Sequence, residues 1–238
     1  MTANTIERLE WDSQFFGYSV AKVGLDDKGY DKVDVVFRQL ASDNIRLTYF
    51  FIPMSETKLN NYISERGGKL VDQKTIFFKK TEGQKNFCNN IIEYQGTEIN
   101  DRLIALGLQA GLFSRFRLDI NFTKNEYKRL YIEWLTKSLN KTLAINTFIA
   151  KNGPEIIGIT TLGKRSGFAD IGLVAVDEKF RGKGIASDLI HFAENTAFNL
   201  GFNEIKVATQ LHNKGACRLY EKTNFQIESI TNIYHYWQ

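Results

Sequence analysis

A mixed α/β fold in two parts is predicted by three features of this 238-residue sequence. Segments with strand and helix periodicity alternate from the beginning, a polar aperiodic stretch interrupts them at residues 81–90, and beyond it a run of strands passes through a glycine-rich turn into a helix. In the first part Ser19 to Val23, Val33 to Leu40, Arg46 to Ile52 and, past a Gly67-Gly68 break, Lys69 to Phe78 carry the alternation. Thr81 to Asn90 (Thr-Glu-Gly-Gln-Lys-Asn-Phe-Cys-Asn-Asn) reads as a connection between domains, dividing the chain at 1–90 and 91–238.

In the second part Asp101 to Leu112 and Glu126 to Asn140 are expected helices. Leu143 to Ala150 and Glu155 to Leu162 are expected strands about the turn Lys151-Asn152-Gly153-Pro154, and Ala169 to Val176 completes a meander. From Arg181 to Leu200 the apolar residues Ile185, Leu189, Ala193, Ala197 and Leu200 recur at helical spacing, with Gly201 as the left-handed stop. A strand over Glu204 to Thr209, a short helix over Lys214 to Lys222 and a strand over Ile230 to Tyr236 follow.

Hydrophobic residues make up 43% and charged residues 24%, with two prolines, so the chain has the composition of a folded globular protein. The net charge of +4 comes without a dense basic run, which argues against nucleic acid and suits a small phosphate-bearing ligand. Cys88 and Cys217 are far apart and fall in no metal-ligand spacing, so neither a disulfide framework nor a bound metal is expected. Met1 to Trp11 is polar, and no stretch approaches about 18 apolar residues, so a cytoplasmic protein without membrane insertion is expected.

The richest segment is Ile171-Gly172-Leu173-Val174-Ala175-Val176-Asp177, followed by Arg181-Gly182-Lys183-Gly184-Ile185-Ala186. A strand that turns through glycines into a helix start gathers unpaired amides and a positive dipole end, which favours an anion. Gly182 and Gly184 remove side chains that would block a diphosphate, and Arg181 and Lys183 put cations at its rim. Taken alone, the loop also fits a ligand-free turn. A dinucleotide fold lacks its third glycine and its ribose-binding acid here, and a nucleoside triphosphate loop lacks its Gly-Lys-Ser/Thr.

Together with Asn213 and Tyr220, seven residues apart, this run resembles the acetyl-coenzyme A signature of the GNAT superfamily. The resemblance implies a mixed, largely antiparallel twisted sheet flanked by helices, with a smaller N-terminal α/β domain. It implies an acyl-coenzyme A cosubstrate whose pantetheine arm lies along Val174 and Val176 and whose diphosphate meets residues 181–186. Asn213 would contact the cofactor and Tyr220 would protonate the departing thiolate. The family usually has glycine before the phenylalanine that follows this tyrosine. Here Asn224-Phe225 stands in its place, and asparagine tolerates the same left-handed turn.

Many of these enzymes carry a glutamate base on the strand before the asparagine, whereas Val207-Ala208-Thr209-Gln210-Leu211-His212 has no carboxylate. An amine of pKa about 8 needs only about 1.4 kcal/mol per pK unit to deprotonate, so a remote base suffices. Asp12, Asp72 and His212 are the candidates, with Asp72, directly or through water, preferred. Neither cysteine sits in an activating motif, so direct transfer through a ternary complex is favoured over an acyl-cysteine route.

The run Ile6 to Gly17, with Ser114-Arg115-Phe116-Arg117 and Val207 to Gln210, is similar to the dTDP-amino-sugar N-acyltransferases of the superfamily, such as the dTDP-fucosamine acetyltransferases. That similarity implies transfer of an acetyl or 3-hydroxybutyryl group to a 3- or 4-amino-dideoxygalactose carried on dTDP. It implies Asp12, Phe16, Ser114, Arg115, Phe116, Arg117 and Gln210 as sugar-nucleotide residues. Arg115 and Arg117 around Phe116 would offer cations for the diphosphate and a flat face for the base, though a helix-ending loop with solvated arginines fits equally. Trp11, Phe15 and Phe16 read first as core aromatics. Protein N-acetylation and noncatalytic sensing of acyl-coenzyme A are the alternatives, and the oligomeric state stays open between monomer and homodimer.

Overall fold

The structure, a computed structural model, describes residues 6–25, 32–83 and 90–238. The polar connection therefore lies largely outside the described residues, as does Cys88. The chain forms two compact units. Unit 1 comprises residues 1–75, 210–212 and 229–238, and unit 2 comprises residues 76–209 and 213–228. The changeover falls within one strand, and the C-terminal strand returns to unit 1.

Unit 1 contains β1 (Ile6–Arg8), α1 (Glu10–Phe16), β2 (Val20–Gly24), α2 (Val33–Ser42), β3 (Leu47–Pro53), α3 (Thr57–Glu65) and the first part of β4 (Lys69–Lys80). β1 pairs antiparallel with β2, β2 parallel with β3, and β3 antiparallel with the C-terminal strand, where Tyr49 stands opposite His235. One face packs under the amphipathic helices α2 and α3. Val33, Val36, Leu40, Leu59 and Ile63 meet Ala21, Val23, Phe50, Ile52 and Tyr234 there. Helices α1 and α3 are short and were not marked by the sequence pattern, because each needs the sheet to complete its apolar face.

Unit 2 contains β5 (Ile91–Glu93), α4 (Asp101–Ala110), α5 (Arg115–Leu118), α6 (Glu126–Leu139), β6 (Asn146–Asn152), β7 (Glu155–Arg165), β8 (Phe168–Val176), α7 (Ile185–Asn199), β9 (Glu204–Gln210) and α8 (Lys214–Lys222), before β10 (Gln226–Trp237). β5, β6, β7 and β8 pair antiparallel in turn, and β9 joins β8 in parallel. The mixed, largely antiparallel sheet expected from the sequence is present. Helices α4 and α6 cover one face through Leu103, Leu106, Leu135 and Leu139 against Ile149, Ile159, Leu173 and Ala175. Helix α7 covers the other through Leu189, Ile190, Ala193 and Ala197, each fully buried. Burying each large aliphatic side chain contributes about 1.5–3 kcal/mol.

Helix α7 starts at Ile185, four residues after the expected start, because Gly182 (φ 77°) and Gly184 (φ 84°) are left-handed. It ends as the sequence indicates. Gly201 (φ 83°) donates to the Phe198 carbonyl and Phe202 to the Ala197 carbonyl, the paired bonds of a Schellman stop. Leu200, read as part of the apolar stripe, is 55% exposed because it lies at this stop. Asn224 (φ 64°) closes α8 in the same way, with its amide on the Glu221 carbonyl and Phe225 on the Tyr220 carbonyl. Asparagine thus serves where glycine is usual in the resembling family.

Candidate active site

Strand β8 changes its partners half-way along. Its parallel pairing with β9 runs from Ala169–Ile205 to Ile171–Val207 and is not continued beyond. Among the described residues the β9-facing backbone of β8 has no strand partner from Gly172 to Val176, while pairing with β7 continues to Gly158–Val176. The departure coincides with a bulge in which Gly172 and Leu173 together oppose Thr161. Thr161 Oγ1 accepts from the Leu173 amide at 2.8 Å, and a Cβ on Gly172 would lie 2.7 Å from that oxygen. Only glycine fits beneath the threonine. The extra residue also shifts the alternation, so Ala169 and Ile171 pack toward α7 whereas Leu173 and Ala175 pack toward α4 and α6.

Beyond Val176 a 3-10 turn over Glu178–Phe180 delivers the chain to the loop Arg181-Gly182-Lys183-Gly184, all four exposed. The amides of residues 182–187 meet no acceptor among the described residues, and Gly184 caps α7 without a side-chain bond. A Cβ at Gly182 or Gly184 would meet nothing within 4 Å, so both glycines serve backbone conformation and the space beside them is open. Arg181 Nε donates to the Val176 carbonyl at 3.1 Å, and Lys183 Nζ lies 5.3 Å from the Phe180 ring centre. Open amides at a fifteen-residue helix start, rimmed by two cations, fit a diphosphate.

Helix α8 and its cap carry the two remaining residues expected at the cofactor. Asn213 is its N-cap and accepts from the Ala216 amide at 3.2 Å, leaving Nδ2 without a partner among the described residues. Tyr220 is 4% exposed, with its ring centre 5.5 Å from that of Phe77 and 6.1 Å from that of Phe225. Burial, and to a smaller degree nearby Cys217, holds its phenol well above the ordinary tyrosine range. Its hydroxyl makes no hydrogen bond among the described residues. Burial likewise pushes the Cys217 thiol up, so it is a poor thiolate nucleophile.

In unit 1, Asp72 on β4 is 7% exposed. Its neighbour Gln73 donates to Asn232, and Asn232 and Tyr234 both donate to Asn60 of α3. Alternation therefore puts Asp72 on the opposite face, with His235, whose ring lies 4.9 Å from that of Tyr49. Tyr49 in turn donates to half-buried Asp12 at 3.5 Å. Phe16 is buried and stacked on Tyr18, as the core reading expects, and Gln210 is half-buried. His212 is exposed.

In unit 2, Ser114 is the buried N-cap of α5 and accepts from the Phe116 amide. Phe116 is 6% exposed, packed against Phe122 and Trp134, so its ring is core and offers no open face for a base. Arg115 lies over that ring, 4.6 Å from its centre, and exposed Arg117 donates to the Leu112 carbonyl. Among the described residues no cluster of three or more His, Cys, Asp or Glu side chains is placed to hold a metal, and no helix is long and apolar enough to cross a membrane.

Residues 112–225 match the acetyltransferase (GNAT) family. They form a GNAT acetyltransferase domain. Members of that family use an acyl-coenzyme A as cosubstrate. Over 98% of its length the chain is similar to dTDP-fucosamine acetyltransferase of Escherichia coli O6:H1, at 26% identity and covering 96% of that protein. It is 32% identical over 124 residues to the spore coat polysaccharide biosynthesis protein SpsD of Bacillus subtilis, covering 52% of this chain but 43% of that relative's length. With streptothricin acetyltransferase of Escherichia coli it shares 32% identity, spanning 56% of that protein. A GCN5-related N-acetyltransferase from Sphaerobacter thermophilus has the same fold, with a TM-score of 0.60 at 13% identity over 92% of this chain and 73% of that one.

The resemblance implied an open strand edge along Val174 and Val176, but the bulge beside it and the buried state of Phe116 were not visible in the sequence. Gly172 within an apolar run was the available sign of a bulge.

Proposed function

We propose that this protein is an acyl-coenzyme A-dependent N-acyltransferase. In this reading it moves an acetyl or 3-hydroxybutyryl group to the amine of a dTDP-linked 3- or 4-amino-dideoxygalactose, in the cytoplasm, for surface polysaccharide synthesis. The observation that carries it is the similarity to dTDP-fucosamine acetyltransferase along 98% of the chain, since it extends through both the glycine loop and the N-terminal part.

The bound thioester supplies an electrophilic carbonyl and a thiolate leaving group. The amides of 182–187, with Arg181 and Lys183, hold the diphosphate, and the unpaired edge of β8 from Gly172 to Val176 holds the pantetheine arm through backbone bonds. Backbone amides near Val174 polarise the carbonyl. Asn213, through its unused Nδ2, is the further donor to the cofactor. Asp72 takes the proton that the amine loses as its nitrogen bonds to the acyl carbon, directly or through water. Tyr220 gives its proton to the sulfur as the carbon–sulfur bond breaks, and its raised pKa keeps that proton in place at neutral pH. Asp12, Phe16, Ser114, Arg115, Phe116, Arg117 and Gln210 remain the residues assigned to the sugar nucleotide. Within that set Ser114, Phe16 and Phe116 act from buried positions as supports.

Mass spectrometry of a panel of dTDP-amino sugars incubated with acetyl-coenzyme A or 3-hydroxybutyryl-coenzyme A tests the substrate. One amino-dideoxygalactose should gain an acyl mass. A panel without any such gain, alongside acylation of a peptide amine, would replace the sugar by a protein substrate.

A further inference from the structure

The turn that launches the glycine loop is held by a side chain from a distant helix. Asp177 follows β8 and caps the 3-10 turn, and its amide donates to the Ile157 carbonyl at 2.9 Å. Its Oδ1 accepts from the Lys179 amide at 2.9 Å, and its carbonyl accepts from the Phe180 amide at 2.9 Å. The other carboxylate oxygen, Oδ2, lies 2.6 Å from Nη1 of Arg102 on α4. The same guanidinium donates through Nε to the Ile156 carbonyl at 2.5 Å and pairs through Nη2 with Glu155 at 3.0 Å. One planar group therefore ties α4, the start of β7 and the end of β8 together, and the fork geometry of arginine fixes their mutual angle.

We propose that Arg102 is a positioning residue for the acyl donor's diphosphate. By fixing Asp177 it sets the turn 178–180, and with it the direction in which the amides of 182–187 point. The inference rests on the reading that this loop binds the diphosphate. Two observations separate it from ordinary scaffolding. Helix α4 is already anchored by fully buried Leu103 and by Leu106, packed with Leu173 and Ala175, so the ion pair is not what docks it. Among the described residues, the hydrogen-bond and ion-pair partners of Arg102 all lie at the loop side of the sheet, at residues 155, 156 and 177. The Asp177 carboxyl is held below its usual range first by the Lys179 amide and then, after a desolvation effect of opposite sign, by Arg102, which keeps it ionised at neutral pH.

The test compares a ligand that has the diphosphate with one that lacks it. Dissociation constants of coenzyme A by calorimetry and of pantetheine by NMR titration are measured for the wild type and for Arg102→Met, Arg102→Lys and Asp177→Asn. Methionine keeps an apolar stem over the same ground. Arg102→Met should weaken coenzyme A about tenfold, the size of one lost charged hydrogen bond. Pantetheine affinity should change less than about twofold on the same scale. Arg102→Lys should recover part of the loss by retaining the charge, and Asp177→Asn should reproduce it should the methionine variant fold poorly. Equal weakening of both ligands, or of neither, overturns the proposal. If wild type binds coenzyme A no more tightly than pantetheine, the diphosphate reading itself fails and the proposal falls with it.

Discussion

Replacing Tyr220 by phenylalanine removes one oxygen from a ring that otherwise stays where it is. The contacts to Phe77 and Phe225 are made by carbon, and the hydroxyl has no hydrogen-bond partner among the described residues, so no buried acceptor is orphaned. The stability change should stay within about 0.5 kcal/mol. A proton donor of this kind contributes about 10²–10⁴-fold to rate. At about 1.36 kcal/mol per decade, the transition state should lose about 2.7–5.4 kcal/mol. Release of free coenzyme A thiol, followed continuously with the acyl-accepting sugar, gives kcat. Calorimetric titration of the acyl donor gives its affinity, and thermal unfolding gives stability. The expected pattern is a large fall in kcat with donor affinity within about twofold and an unchanged melting temperature. A variant retaining more than a tenth of wild-type kcat, or one whose kcat falls in step with its melting temperature, would refute the assignment of Tyr220 as donor.

Gly172→Ala should destabilise unit 2 by about 1–3 kcal/mol, because its methyl would sit 2.7 Å from Thr161 Oγ1, and Gly172→Ala with Thr161→Ala should recover part of that in urea unfolding. Lys79→Met should cost about 3–5 kcal/mol by chemical denaturation, since it leaves fully buried Glu194 without the cation that lies 2.7 Å away; Lys79→Met with Glu194→Met should regain most of it. Tyr220 also sets an alkaline limit. Its folded pKa is raised, so its contribution is whole below the unfolded value of about 10 and is lost as pH rises through the folded pKa, by at most about 1.4 kcal/mol per pH unit. Melting temperatures between pH 9 and 11.5 should therefore fall less steeply for Tyr220→Phe than for wild type, and parallel curves would contradict the burial of the phenol.

The features legible in the sequence were those that a few neighbouring residues decide. Gly182 and Gly184 permit the left-handed backbone and the close approach that the loop needs, Ile185 to Ala197 carry their own helical period, and Asn213 caps the helix that begins beside it. Asn224 adopts the φ expected of it because that tolerance belongs to the residue itself. The aromatic rings were harder to read. Phe116 sits in a motif that suggested ligand contact, yet it is buried, since the fate of a ring depends on what packs over it.

By itself, then, the sequence determined most of the strands and helices, the glycine turn after β8 and the spacing that puts Tyr220 two turns past Asn213, because periodicity, caps and glycine conformations act over a few residues. The tertiary structure alone decided where β8 parts from β9, how Thr161 forces a bulge at Gly172, and that Arg102 reaches Asp177. Each of those depends on which distant backbone or side chain arrives alongside, and a one-residue shift in strand register would abolish all three.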